Sequence, residues 1–219
     1  MSPQSDSSLA EQGGGAAEQL AALKRFTRAR PQVERCELCS ATIALQHQHL
    51  LDRRSRQVAC ACDACAILFC DQQDGKFLRV PRRVRELHDF YFTDLQWEEM
   101  MLPINLAFVL RNGDGRITVL YPSPAGAVES QLNSRVWEDH IASHPKLQAM
   151  EPEVEALIVN RVGEQNAYFT APIDECYRLV GIIRTNWRGL SGSPEVWGAV
   201  ALFFHELRER ANGKAAPHA

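Results

Sequence analysis

The sequence predicts an α+β fold: a small four-cysteine metal module, of zinc-ribbon or treble-clef kind, followed by a domain of antiparallel hairpins and helices. Three observations carry this. Two Cys-x-x-Cys pairs, Cys36/Cys39 and Cys62/Cys65, stand close in the chain. Two β-rich runs are each joined through turn residues to a second such run. Helical patterns close the chain, without the regular strand and helix alternation that a parallel sheet demands.

Taken in order, residues 1–15 are rich in Ser, Gln and Gly and are expected to form a disordered tail ending at Gly13, Gly14 and Gly15. Within 16–32, Leu20, Leu23 and Phe26 recur at helical spacing, and Pro31 ends the pattern. The metal module is expected over 33–72, the α+β domain over 73–212 and a second disordered tail over 213–219. In that domain 76–80 reads as a short strand. Thr93, with Asp94 and Glu98 after it, starts a helix that runs to Met101 and is stopped by Pro103. Runs 104–110 and 117–121 flank Asn112-Gly113-Asp114-Gly115, residues that tolerate positive φ, and so form a hairpin. That loop lacks the further oxygen ligands and terminal Glu of a calcium site.

Ser134 is a cap for a helix over 134–143, with Pro145 beyond it. Runs 154–162 and 167–170 make a second hairpin around Gly163 and Asn166. A helix over 173–187 places Cys176, Leu179, Val180, Ile183 and Trp187 on one face, so Cys176 reads as a core thiol, and Asp174 and Glu175 meet the positive end of its dipole. The last helix starts at Ser193-Pro194-Glu195 and buries Val196, Val200, Phe203 or Phe204, and Leu207. Between the two helices, Arg184, Trp187 and Arg188 are residue types that anchor protein interfaces and form the candidate partner-binding surface.

At 45% hydrophobic and 23% charged, the 219-residue chain has the composition of a packed globular protein. Its net charge of -3, from 24 basic and 27 acidic residues, supplies no global positive field, so no nucleic-acid partner is expected. Arg79, Arg82, Arg83 and Arg85 alternate with Val80 and Val84 as on a solvated face. No basic start with an apolar stretch marks a secretory signal, and no apolar run spans a membrane, so a cytoplasmic protein is expected. In a reducing compartment, seven cysteines, all but Cys176 within 36–70, point to metal thiolates rather than disulfides.

Thiolates three positions apart on a tight turn aim at one cation, and two such turns supply the four sulfurs of a tetrahedral site. Zinc is expected, with iron the chemical alternative. Cys60 lies two residues before Cys62, and on an extended segment would face the same way and supplement or replace a ligand. His47 and His49 lie between the pairs, His49 being the additional candidate ligand. Cys70 follows Ile67, Leu68 and Phe69 and reads as a buried small hydrophobe.

Cys36-x-x-Cys39, His49-Leu-Leu-Asp52 and Cys62-x-x-Cys65 resemble in order the pattern of HNH endonucleases, departing from it in the short interval after His49 and in the lack of an Asn before the second pair. The chain as a whole, over about 25–210, resembles an uncharacterised bacterial family encoded in gene clusters for high-affinity nickel-iron hydrogenases. The residues that carry the likeness are Arg25-Phe-Thr-Arg-Ala-Arg-Pro31, Glu34-Arg-Cys-Glu-Leu-Cys39, His49-Leu-Leu-Asp52, Cys60-Ala-Cys-Asp-Ala-Cys65, Tyr121-Pro-Ser-Pro-Ala-Gly126, Pro172-Ile-Asp-Glu-Cys-Tyr-Arg-Leu-Val-Gly181 and Trp187-Arg-Gly-Leu-Ser-Gly192. Gly192-Ser193 stands where that family more usually has paired glycines. The resemblance implies a hydrogenase gene context, and the first function expected in it is a non-enzymatic accessory protein of hydrogenase maturation or assembly, with hydrogenase subunits or maturation factors as partners. An iron-thiolate electron-transfer or redox-sensing protein and a metal-dependent nuclease are the other function classes.

Overall fold

A computed structural model describes residues 33–70, 75–130, 143–163, 166–189 and 192–213. The expected tails over 1–15 and 213–219, the helix within 16–32 and the helix over 134–143 lie, but for Ser143 and Gly213 at their edges, outside the described residues. The chain divides into units 1–34 and 35–219, and every element below belongs to the second.

The first part of this unit is a three-stranded antiparallel sheet of order β2-β1-β3, built from β1 (Gln48–Asp52), β2 (Val58–Ala61) and β3 (Phe77–Arg79), with α1 (Asp63–Cys70) following β2. Asp52 makes the β1–β2 turn by accepting the backbone N–H groups of Arg54 and Ser55 at 2.9 and 3.3 Å. Strand periodicity sends successive side chains to opposite faces. Leu50 therefore enters a small core with Cys36, Ala61, Cys65, Ala66 and Phe77, whereas Leu51 enters the main core of the protein.

That main core lies on a six-stranded antiparallel sheet of order β4-β9-β8-β5-β6-β7, formed by β4 (Arg85–Glu86), β5 (Leu106–Arg111), β6 (Ile117–Ser123), β7 (Gly126–Glu129), β8 (Glu155–Asn160) and β9 (Ala167–Pro172). Both expected hairpins are present as β5–β6 and β8–β9. Their central strands read as continuous apolar runs because both sheet faces are covered. Phe108, Ile158 and Phe169 face α4 (Ile173–Asn186) and α5 (Pro194–Ala211). Val109, Leu157, Val159 and Tyr168 face Phe90, Phe92 and the short helices α2 (Asp94–Glu99) and α3 (Pro145–Gln148).

Thr93 caps α2 as expected, in a capping box whose reciprocal partner is Gln96 rather than Glu98, because the box requires the third helical position. Pro145 opens α3 at its first turn rather than merely following a helix; that position needs no N–H donor. At the start of β8, Glu155 is buried and takes two hydrogen bonds from Arg83, at 2.9 and 3.1 Å. Arg79, Arg82, Arg83 and Arg85 are exposed while Val80 and Val84 are buried. Among the described residues no helix is long and apolar enough to cross a membrane.

Candidate metal centre

The first cysteine pair sits on a tight turn closed by Cys36 N–H to the Ala41 carbonyl at 2.8 Å and Ser40 N–H to the Cys36 carbonyl at 2.7 Å. Ser40 completes the turn in the left-handed region at φ 62, where glycine is the unstrained residue. The second pair brackets the start of α1: Cys62 precedes the helix and accepts the Cys65 N–H on its sulfur at 3.4 Å, and Cys65 lies in the first turn. Glu37 joins the two pairs. Its N–H donates to the Cys60 carbonyl and its Oε1 accepts the Cys60 N–H, both at 2.8 Å.

The four sulfurs of Cys36, Cys39, Cys62 and Cys65 lie within 4.8 Å of one another, and Cys39 and Cys62 are 3.7 Å apart. A tetrahedron with metal–sulfur bonds of about 2.3 Å has edges of about 3.8 Å, so this array could hold a metal ion. The crowded sulfurs do not ionise alike. Burial opposes ionisation of Cys36, but backbone N–H groups of Cys62, Leu38 and Cys39 and the Cys39 thiol outweigh it and lower the thiol to about 6. Burial, followed by the neighbouring Cys39, Cys62 and Cys36 sulfurs, pushes Cys65 up to about 12. Without a cation the cluster carries its charge chiefly on Cys36, and a metal must displace the Cys65 proton.

Cys60 does not join this cluster. Strand β2 ends at Ala61, so the two-residue alternation does not extend to Cys62, and it is Ala61 that faces the small core. Cys60 pairs directly across the sheet with His49 and is grouped with His49 and His47, one ligand atom of each lying within 4.8 Å of the others. His49 Nδ1 lies 2.6 Å from Asp174 Oδ2 and His49 Nε2 lies 3.1 Å from His47 Nε2. Sequence separation hid the Asp174 contact; its acidic position at a helix start is fully accounted for by the dipole, and no local signal points 125 residues back along the chain.

Residues 35–211 match the profile described as Family of unknown function (DUF5947). The chain belongs to that family. No curated protein and no solved structure matches it.

The DUF5947 chain uses its other singled-out residues largely within the fold. Glu175, beside Asp174, is buried and pairs with Arg210 of α5 and, at 3.1 Å, with Arg178. Cys176 is buried, and desolvation with the charges of Glu175 and Asp174 raises its thiol well above the ordinary range, as suits a core thiol. Cys70 is half-buried against the small core. Arg184 and Arg188 are exposed, whereas Trp187 is half-buried, stacks edge-on with Trp197 at 5.9 Å and donates its Nε1–H to the Gly189 carbonyl at 3.0 Å. At Gly192, with φ 79, an added Cβ would stand 3.1 Å from Val196 and 3.4 Å from Trp187, so glycine permits both the turn and the packing. An open groove of about 620 Å³ runs past Arg53, Arg56, Arg116 and Tyr177, but Arg53 and Arg56 already pair with Glu153, at 3.3 and 2.9 Å.

Proposed function

We propose that this chain is a non-enzymatic zinc-binding accessory protein acting through protein contacts in the maturation or assembly of a nickel-iron hydrogenase. The observation that carries the zinc part is the convergence of four sulfurs at tetrahedral spacing. Four protein ligands close the coordination sphere, which suits a structural ion rather than a catalytic one that keeps a position for water. The order of turn, hairpin and helix start supports a treble-clef module over a zinc ribbon, because the second cysteine pair leads into α1 instead of a second sheet turn. The hydrogenase context rests on the sequence resemblance. Exposed Ile67 and Leu68 on α1, beside the cysteines, are consistent with a surface that a protein partner covers, and a reducing cytoplasm suits free thiols.

Elemental analysis with an absorption spectrum, on protein purified without added metal, tests the ion. Zinc and no colour support the reading. Iron with thiolate charge-transfer bands would replace it by electron transfer or redox sensing, since the same four sulfurs suit either metal. Co-purification with hydrogenase subunits or maturation factors tests the partner, and loss of that capture in Arg184→Ala with Arg188→Ala would place it on the interhelical surface.

A further inference from the structure

We infer that His47, His49 and Cys60 form a second metal site, separate from the four cysteines and selective for a zinc-like borderline cation. The placement follows from the β1–β2 ribbon. Leu50 and Ala61 point into the small core with Cys36 and Cys65, so His49 and its cross-strand partner Cys60 project from the other face, the one on which Leu51 and Val58 meet the main core. The two ligand sets use opposite sides of one ribbon and do not share a sulfur.

Hydrogen bonding fixes the tautomers. A carbonyl oxygen only accepts, so His47 Nδ1, 2.9 Å from the Ala44 carbonyl, is the protonated nitrogen of its ring. The Asp174 carboxylate accepts in the same way from His49 Nδ1. With both rings neutral, each then turns an Nε2 lone pair toward the other, at 3.1 Å. Two lone pairs at that distance repel unless a positive centre lies between them. In a tetrahedral site with metal–nitrogen bonds of about 2.05 Å, ligand nitrogens stand about 3.3 Å apart, close to the separation here. Cys60 supplies the third donor, within 4.8 Å of one nitrogen of each histidine.

The carboxylate–histidine pair is the outer-shell arrangement that orients a metal-binding imidazole and raises its basicity. Asp174 Oδ1 is buried and has no hydrogen-bond partner among the described residues, which places a concentrated negative charge behind His49. Two imidazoles and a thiolate select zinc-like cations over calcium or magnesium, which take oxygen ligands. All three residues are half-buried, so solvent or a small exogenous ligand takes the fourth position.

Cobalt(II) titration of the metal-stripped, reduced full-length protein, with a competing chelator, tests the site. The expected result is about two ions per chain, one with tetrathiolate bands and one more weakly held with a single-thiolate band. His47→Gln combined with His49→Gln should bind one ion and retain the tetrathiolate bands, which also shows that the module still folds. Asp174→Asn, outside the module, should weaken only the second ion, by about 10- to 100-fold. A single ion in the wild type with intact tetrathiolate bands overturns this inference and leaves the four-cysteine reading standing; the shared centre is then a proton. Unchanged stoichiometry in the double histidine variant, or unchanged second-site affinity in Asp174→Asn, overturns it as well. Loss of the tetrathiolate bands from the wild type would instead count against the four-cysteine reading.

Discussion

The three-stranded module and the six-stranded sheet domain solve the same problem with different materials. The sheet domain buries Phe108, Phe169 and Phe203 completely or nearly so and is covered on both faces by apolar side chains. Among the described residues the module has a core of six buried residues, two of which are cysteines. Leu38 and Ile43 are only partly buried against it, and Ile67 and Leu68 of α1 are exposed. Where apolar area is scarce, ligation must supply the ordering free energy, so the two regions should answer differently to metal removal and to loss of packing.

The largest difference should come from the ion. Structural zinc in small modules is worth about 10–16 kcal/mol near neutral pH, so chelation or Cys65→Ser should abolish amide protection over 36–70 in hydrogen exchange while β5, β8 and β9 stay protected. Simultaneous loss in β5 and β8 would break the comparison by showing that the regions unfold as one. Acid should act as the chelator does. The Cys36 thiol, lowered to about 6, is ionised above that pH and neutral below it, while Cys65, raised to about 12, ionises near neutrality only by exchanging its proton for metal. Metal affinity therefore falls as pH falls, and release on acidification can be followed with a chelating dye.

The converse experiment is Phe169→Ala, at a fully buried position in the sheet domain. It should cost about 3–5 kcal/mol in denaturant unfolding and leave metal content unchanged. A smaller effect is expected from Arg83→Ala, which removes the two hydrogen bonds from Arg83 to the buried Glu155 carboxylate and leaves the one from the Glu151 N–H. Arg83 is itself 43% exposed, which lets water replace part of what is lost, and about 2 kcal/mol is expected. Arg83→Ala with Glu155→Gln should recover part of it. The smallest change sharpens the module side: Ser40→Gly relieves the left-handed turn at φ 62 and should stabilise the metal-loaded protein by about 0.5 kcal/mol, read from the thermal midpoint.

Both hairpins, the two long helices and the Thr93 cap were legible because their signals are local: apolar runs broken by Asn and Gly, or a cap followed by helical periodicity. The cysteine cluster was legible for the same reason, since the spacing of each pair is itself the geometry of a knuckle. Strand β4 escaped notice because its two residues show no period, and its pairing with β9 is purely tertiary. The expectation that Cys60 faces the way of Cys62 needs an extended segment through both, whereas β2 ends at Ala61 and α1 begins at Asp63. The place of Asp174 in the first turn of α4 satisfies a local rule, while its hydrogen bond to His49 depends on how β1 packs against the main core.

The division of β1 between two cores has a consequence for how this gene can change in length. Leu50 and Leu51 are adjacent, each fully buried, and each belongs to a different interior. Substitutions along the β1–β2 ribbon alter one side at a time, but deletion or insertion of one codon within a strand would invert every side chain beyond it, carrying Cys60 or His49 toward the thiolates and an aliphatic residue into their place. Indels in this stretch should therefore be tolerated only in the turn at 53–57, where no side chain is committed to either interior.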